Sequence, residues 1–163
     1  MTQWVRHTDD ADATRAVGSE VAALLRAGDV VVLAGEVGAG KTTFTQGLGA
    51  GLNVRGPVTS PTFVLARRHP TLTNGPDLVH VDAYRIDGTL VLEDLDLDAD
   101  LDTAVVVIEW GQGLIDDLAI ERVAVHVQRP QGDVADEHRV ITVDFVGRAW
   151  AERLASNSDG VTA

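Results

Sequence analysis

Residues 35–42 read Gly-Glu-Val-Gly-Ala-Gly-Lys-Thr, a complete match to the pattern G-x-x-x-x-G-K-[ST]. The flanking residues leave such a loop little choice of setting. Ahead of it, Asp29–Ala34 is a short β-branched run suited to a strand buried on both faces. Behind it, Phe44, Leu48 and Leu52 recur at spacing four across Lys41–Leu52, one apolar stripe of a helix that Gly51 or Asn53 can end. Strand, glycine loop and helix in that order predict a phosphate-binding loop. Its glycines let consecutive backbone N–H groups face an anion, and the helix that follows points its positive end at the same charge. Lys41 can reach the β- and γ-phosphates of a nucleotide, and the Thr42 hydroxyl can ligate Mg²⁺.

The rest of the chain alternates between the two periodicities. Trp4–His7 reads as an edge strand and Ala13–Ala27 as a helix with Val17, Val21, Leu24 and Leu25 on one face and Gly28 as its stop. Phe63–Arg67 and Leu78–Asp82 read as strands around a turn at Thr71–Asp77, and Leu90–Leu97 as a short helix. Ala104–Glu109 is the second continuous apolar run. Glu121–Gln128 and His138–Val146 alternate apolar and polar residues, as antiparallel strands with one wet face do, and Arg148–Ala155 closes as a helix. The expectation is an α/β, three-layer P-loop NTPase-like domain over residues 1–155, with a mixed, mainly parallel central sheet and antiparallel additions, followed by a loose tail at 156–163.

A phosphate loop also needs carboxylates to hold a metal and orient water. Two acids end apolar runs: Glu109 after Val105–Ile108, and Asp82 after Leu78–Val81. Both are candidates for Mg²⁺ and water chemistry; the bland alternative is a surface acid at a strand end. Thr62, in the segment Thr59–Phe63, is either a γ-phosphate-sensing hydroxyl or part of a turn before a strand. Trp110 either stacks near the nucleotide or fills core. His80 reads as a strand residue, and His7, His69, His126 and His138 show no ligand spacing. Residues 98–109 fit a calcium-loop template except that Thr103 stands where the sharp turn needs glycine, and the next five residues want to be a strand.

Composition narrows the class. No apolar stretch reaches transmembrane length, Met1–Asp12 lacks a signal-peptide core, and with no cysteine neither disulfides nor thiolate metal sites exist; the expected location is the cytoplasm. A net charge of −12 argues against extended binding to a nucleic-acid backbone, although Arg67, Arg68 and Arg85 could make a local basic patch. The only lysine in the chain is Lys41.

The motifs together resemble the small bacterial TsaE ATPases of tRNA threonylcarbamoyladenosine biosynthesis. The resemblance runs from about Thr14 to Trp110 and rests on Thr14…Gly18, the octet with Thr43, Ser60–Phe63, His80–Arg85 and Ile108–Trp110. Glu36 and Val37 replace the Asp and Leu common in that family. The resemblance implies ATP and Mg²⁺ as cofactors, with Val37, Gly38, Ala39, Gly40, Lys41, Thr42 and Thr43 around the phosphates. It implies Thr42 and Glu109 on the metal, Asp82 in metal or water positioning, Thr62 in a switch-like loop, and Trp110 near the nucleotide. Residues around Asp9–Ala11 would approach adenine. It further implies weak ATPase activity that resets the TsaD–TsaB threonylcarbamoyl-transferase pair, with tRNA engaged only through that complex. From the residues alone a small-molecule kinase stays open as an alternative, as does a nucleotide-dependent binding module. A GTPase is disfavoured for want of an Asn-Lys-x-Asp string.

Overall fold

In a computed structural model, residues 2–36, 38–56, 58, 66–82, 102–109, 121–130 and 137–159 are described. The two most apolar runs form the middle of the sheet. Strand β2 (Val30–Ala34) pairs in parallel with β5 (Ala104–Glu109), Val31 opposite Val107 and Leu33 opposite Glu109. All of β5 is buried, as expected of a strand covered on both faces. Strand β4 (Asp77–Asp82) lies parallel on the far side of β5, and β6 (Arg122–Gln128) parallel on the far side of β2. Antiparallel strands extend this core: β3 (Ala66–His69) beside β4, and β7 (Arg139–Val146) then β1 (Thr2–Thr8) beyond β6. The order is β1-β7-β6-β2-β5-β4-β3 in one seven-stranded sheet, a mixed α/β architecture with a parallel centre and antiparallel additions.

Alternation decides which side chains meet the helices. Val123, Val125 and Val127 of β6 and Ile141, Val143 and Phe145 of β7 join Val31, Leu33, Val105 and Val107 in one buried cluster. Helices α1 (Ala11–Ala22) and α2 (Lys41–Gly51) add Val17, Val21, Phe44 and Leu48 to it, and α3 (Arg148–Asp159) adds Trp150. Trp150 lies 5.2 Å from Phe145 between ring centroids, with the Arg153 guanidinium over its indole. The other face of the parallel strands, carrying Val30, Val32, Val79, Val81, Val106 and Ile108, is buried as well.

Element boundaries differ from expectation by a few residues at several ends. Helix α1 stops at Ala22 rather than Ala27, because Leu24 and Leu25 donate to the Val21 and Ala22 carbonyls and tighten the chain into turns. Helix α3 runs on to Asp159, so the tail is helical past Ala155, and the Ser156 hydroxyl donates to the Glu152 carbonyl. Strand β3 is described from Ala66 and runs to His69, past the expected Arg67; residues 63–65, the expected helix at 90–97 and residues 98–101 of the calcium-loop stretch lie outside the described residues. Ala104–Glu109 forms a strand, which leaves no room for the calcium-loop geometry. Among the described residues no helix is long and apolar enough to cross a membrane.

Helices α1 and α2 touch backbone to backbone. A Cβ at Gly47 would lie 1.9 Å from the Arg15 carbonyl oxygen, and one at Gly18 would lie 2.3 Å from that of Phe44. The Ser19 hydroxyl, donating 2.8 Å to the Gly47 carbonyl, fastens the crossing. At the opposite edge, Asp77 ties the β3–β4 hairpin. One of its oxygens accepts from the Thr71 amide at 2.7 Å and the other from Arg68. The amide bond, then the Arg68 hydrogen bond and charge, outweigh burial and hold the carboxyl below the usual aspartate range.

Gly47→Ala should destabilise the protein by about 2 kcal/mol despite a helix-propensity gain of about 1 kcal/mol. Gly56→Ala, where the nearest non-neighbouring atom is 3.7 Å away, should be near neutral. Denaturant unfolding of both variants checks this. Asp77 binds protons less readily folded than unfolded, so its contribution is complete above the unfolded value of about 3.9 and is lost as pH falls through the lower folded value. Asp77→Ala should therefore lower stability at pH 7 and reduce its loss between pH 5 and pH 3 (approximate bounds), read by thermal unfolding against pH.

Candidate functional site

The loop between β2 and α2 opens at the carboxyl ends of the parallel strands, the edge where open α/β sheets bind ligands. Gly40 caps α2 with φ 112° and ψ 20°, a left-handed conformation costly for any residue with a Cβ. It offers no side-chain acceptor, and the first turn of α2 holds no acidic residue. Helix α1 is built oppositely: Asp10 accepts from the Ala13 amide at 2.7 Å and Asp12 adds negative charge to its first turn. The leading amides of α2 are therefore left unclaimed by a side-chain cap, with the positive end of the helix dipole behind them. Lys41 is 7 % exposed and donates 2.8 Å to the Gly35 carbonyl, closing the loop from helix back to strand. Thr42 and Thr43 are half-buried in the first helical turn, and Ala39 is buried, its amide donating to the Glu36 carbonyl. Val37 lies outside the described residues.

The sheet register brings both strand-end acids to this edge. Asp82 stands opposite Glu109, and Glu109 opposite Leu33, one residue before the end of β2. Glu109 is 5 % exposed, and its Oε1 lies 2.9 Å from Nε2 of His80, itself fully buried. The sequence gives no hint of this contact, because His80 reads there only as a strand residue. His69, on β3, is also buried; desolvation first, then the nearby His80 and Arg67, push its imidazole below the ordinary value, so it is neutral at physiological pH. Thr62 and Trp110 lie outside the described residues. Arg67 and Arg68 are exposed on β3, where Arg68 bridges to Asp77; Arg85, the third member of the expected basic patch, lies outside the described residues.

Two further groups reach the site from the late part of the chain. Arg139, first residue of β7, donates through Nε to the Ala39 carbonyl at 2.7 Å and through its guanidinium to the His138 carbonyl. With Glu137, Gly40, Thr43, Ala11 and Thr14 it lines a cleft beside the loop, next to the start of α1. Thr14 is fixed there by a 2.8 Å hydroxyl–hydroxyl bond to Thr8. Next to Glu137 in the chain, His138 has its Nε2 3.4 Å from His7 Nδ1 and its Nδ1 3.2 Å from Asp9. Among the described residues no group of three or more His, Cys, Asp or Glu side chains is arranged to hold a metal on its own.

A family model described as "Threonylcarbamoyl adenosine biosynthesis protein TsaE" matches residues 8–140. The chain belongs to the TsaE family. A "tRNA threonylcarbamoyladenosine biosynthesis protein TsaE" of Streptomyces coelicolor is 57 % identical over 138 residues, covering 84 % of this chain and 93 % of that protein. One of Bacillus subtilis is 34 % identical over 152 residues, covering 92 % and 90 %. The crystal structure of YdiB from Bacillus subtilis superposes with a TM-score of 0.74 at 30 % identity, covering 98 % of this chain and 96 % of that one. Within the TsaE frame the early motifs acquire structural reasons: Gly18 is where α1 meets α2, and Thr14 faces the cleft at the glycine loop. Family membership thus assigns the chain to tRNA threonylcarbamoyladenosine biosynthesis.

Arg139→Ala should leave the fold intact but cost about 1.5 kcal/mol or more, the worth of a charge-assisted hydrogen bond. Amides of residues 38–44 should exchange faster, and hydrogen-exchange mass spectrometry of that segment reads the change; unaltered protection would detach Arg139 from the loop.

Proposed function

We propose that this TsaE-family chain is an Mg²⁺-dependent ATP-binding protein with weak ATPase activity, which supports turnover of the TsaD–TsaB threonylcarbamoyl-transferase complex on tRNA. The observation that supports this most is the shared edge of the sheet. On that edge α2 begins with uncapped amides and the buried Lys41, and β4 and β5 end in register with Asp82 and Glu109. The chemistry of that set fits a triphosphate with a hard cation: N–H groups and an ammonium for phosphate oxygens, a hydroxyl and carboxylates for the metal.

In this reading Val37, Gly38, Ala39, Gly40 and Thr43 present backbone amides to the phosphates, and Lys41 exchanges the Gly35 carbonyl for phosphate oxygens. The Thr42 hydroxyl and the Glu109 carboxylate would hold Mg²⁺, which when bound neutralises charge developing on the phosphoryl oxygens. Asp82, opposite Glu109, orients water at the same edge. Thr62 follows the γ-phosphate and Trp110 borders the nucleotide. The cleft between Ala11, Thr14 and Arg139 would receive the nucleoside end, close to the Asp9–Ala11 segment expected near adenine. A chain of net charge −12 is a poor ligand for tRNA and suits a basic face on another protein, so tRNA enters through the transferase complex.

Reconstitution tests the proposal: multiple-turnover tRNA modification by TsaD and TsaB with and without this chain and hydrolysable ATP. The chain should be required for turnover, and its slow ATPase should rise in the complex; rapid phosphorylation of a metabolite would instead establish the kinase reading. Lys41→Ala should weaken ATP binding by about 10-fold or more, the worth of one charge-assisted contact. Glu109→Gln should bind ATP yet fail in turnover.

A further inference from the structure

His80 has no part in the function described so far. It stands in mid-strand on β4 with no exposed surface, among Leu78, Val79 and Val81, where an aliphatic residue would fill the space without a polar atom. A histidine kept for packing alone ordinarily has both ring nitrogens satisfied. Here Nδ1 is buried with no hydrogen-bond partner among the described residues, while Nε2 lies 2.9 Å from Oε1 of Glu109. A carboxylate serving as a metal ligand only accepts, so in that role Nε2 would carry the hydrogen and donate it. The register explains the reach: His80 sits opposite Val107, two places before Glu109, so its ring runs along the sheet face to the strand end.

We propose that His80 is the positioning residue of the metal site, anchoring one oxygen of Glu109 so that the other is held ready for the divalent cation. The proposal rests on Glu109 being a metal ligand, as read above. A glutamate side chain has several torsions and ends a strand at the open edge of the sheet. Fixing one oxygen through a buried donor removes most of that freedom before the metal arrives. Partners of this kind, behind a ligand, commonly alter metal affinity by roughly 10–100-fold when removed. The same bond also offsets the desolvation of a carboxylate that is 5 % exposed.

The experiment compares His80→Asn with His80→Gln. The amide nitrogen of glutamine falls near the Nε2 position, whereas that of asparagine falls short. Mn²⁺ binding to the protein–ADP complex is read by electron paramagnetic resonance, and ADP affinity is measured separately in EDTA. His80→Asn should weaken Mn²⁺ by roughly 10-fold, His80→Gln should stay near wild type, and ADP affinity in EDTA should be unchanged in both. Equal Mn²⁺ binding in all three proteins, equal losses in both variants, or a parallel loss of ADP affinity in EDTA would each overturn the proposal. Glu109→Gln separates the two claims. If it binds Mn²⁺ as wild type does, Glu109 is not a ligand and both fall; if it weakens Mn²⁺ while His80→Asn does not, only the role of His80 falls. A readout that needs no His80 variant is nitrogen-15 NMR of the imidazole in the wild-type protein. It should show the hydrogen on Nε2, and a hydrogen on Nδ1 instead would also refute the assignment.

Discussion

The contact on which the site depends is the backbone-to-backbone crossing of α1 and α2. Helices normally pack with side chains between them at 8–10 Å. Here Gly47 meets the Arg15 carbonyl and Gly18 meets that of Phe44, at places where a single methyl group would collide. Two consequences follow. The start of α1, with Asp10 as its cap, is drawn up beside the glycine loop, so that Ala11 and Thr14 form one wall of the cleft whose other wall is Gly40 and Thr43. The apolar stripes of both helices also fall on the same buried cluster, with Val17 and Val21 beside Phe44 and Leu48. Part of what a glycine costs a helix is thus offset by the core the crossing closes.

Beneath the helices, the parallel strands set direction. Because β6, β2, β5 and β4 all run the same way, their carboxyl ends share one edge, and a residue that ends an apolar run there is brought beside the loop after β2. A carboxylate at such a place meets two opposing demands. Burial disfavours its charge, yet the metal-binding role proposed for it would require that charge. In β5 the conflict is met by one long-range hydrogen bond from a histidine that leaves its own second nitrogen unsatisfied within the described structure. The interior of β4 therefore gives up some polar satisfaction to hold the carboxyl group that ends the neighbouring β5.

Which parts of this were legible in the sequence follows from the range of the interactions involved. The β-branched runs at 30–34 and 104–109 and the helix stripe at Phe44 and Leu48 are local patterns, and each became the element it predicts. Strand-end acids were legible as well, since an acid closing an apolar run declares its own place; Asp82 and Glu109 do stand opposite one another. Arg139 was not legible: nothing near it in the chain marks it, and its partner Ala39 is 100 residues away. His80 and Glu109 are 29 apart, on strands whose neighbourhood only the sheet order reveals. The pair His7 and His138, 131 apart, lacks ligand spacing in sequence yet meets because β1 and β7 are antiparallel with His7 opposite Val140. Helix ends failed for a smaller reason. Leu24 and Leu25 continue the apolar pattern of α1 because they still pack inward, although the backbone has already tightened out of the α-helix.

The two helix starts show where stability and function part company. Asp10 and Asp12 at α1 do what a sequence selected for helix stability does: a side-chain cap and a negative first turn, together worth on the order of 1–2 kcal/mol. The start of α2 has neither, and in the glycine that replaces the cap it accepts a residue that favours the unfolded chain. Both helices belong to one core and are pressed together along their length, so tertiary packing demands nothing different of their ends. A side-chain cap like that of Asp10 needs extended backbone, φ −152° there, whereas the left-handed turn at Gly40, φ 112°, excludes it, so the amides of α2 are left for a partner from outside the helix. The missing cap is the feature on which the proposed phosphate binding draws, since an external anion would complete the helix there. The chain's only lysine, one residue further on, leans on the carbonyl that begins the same loop.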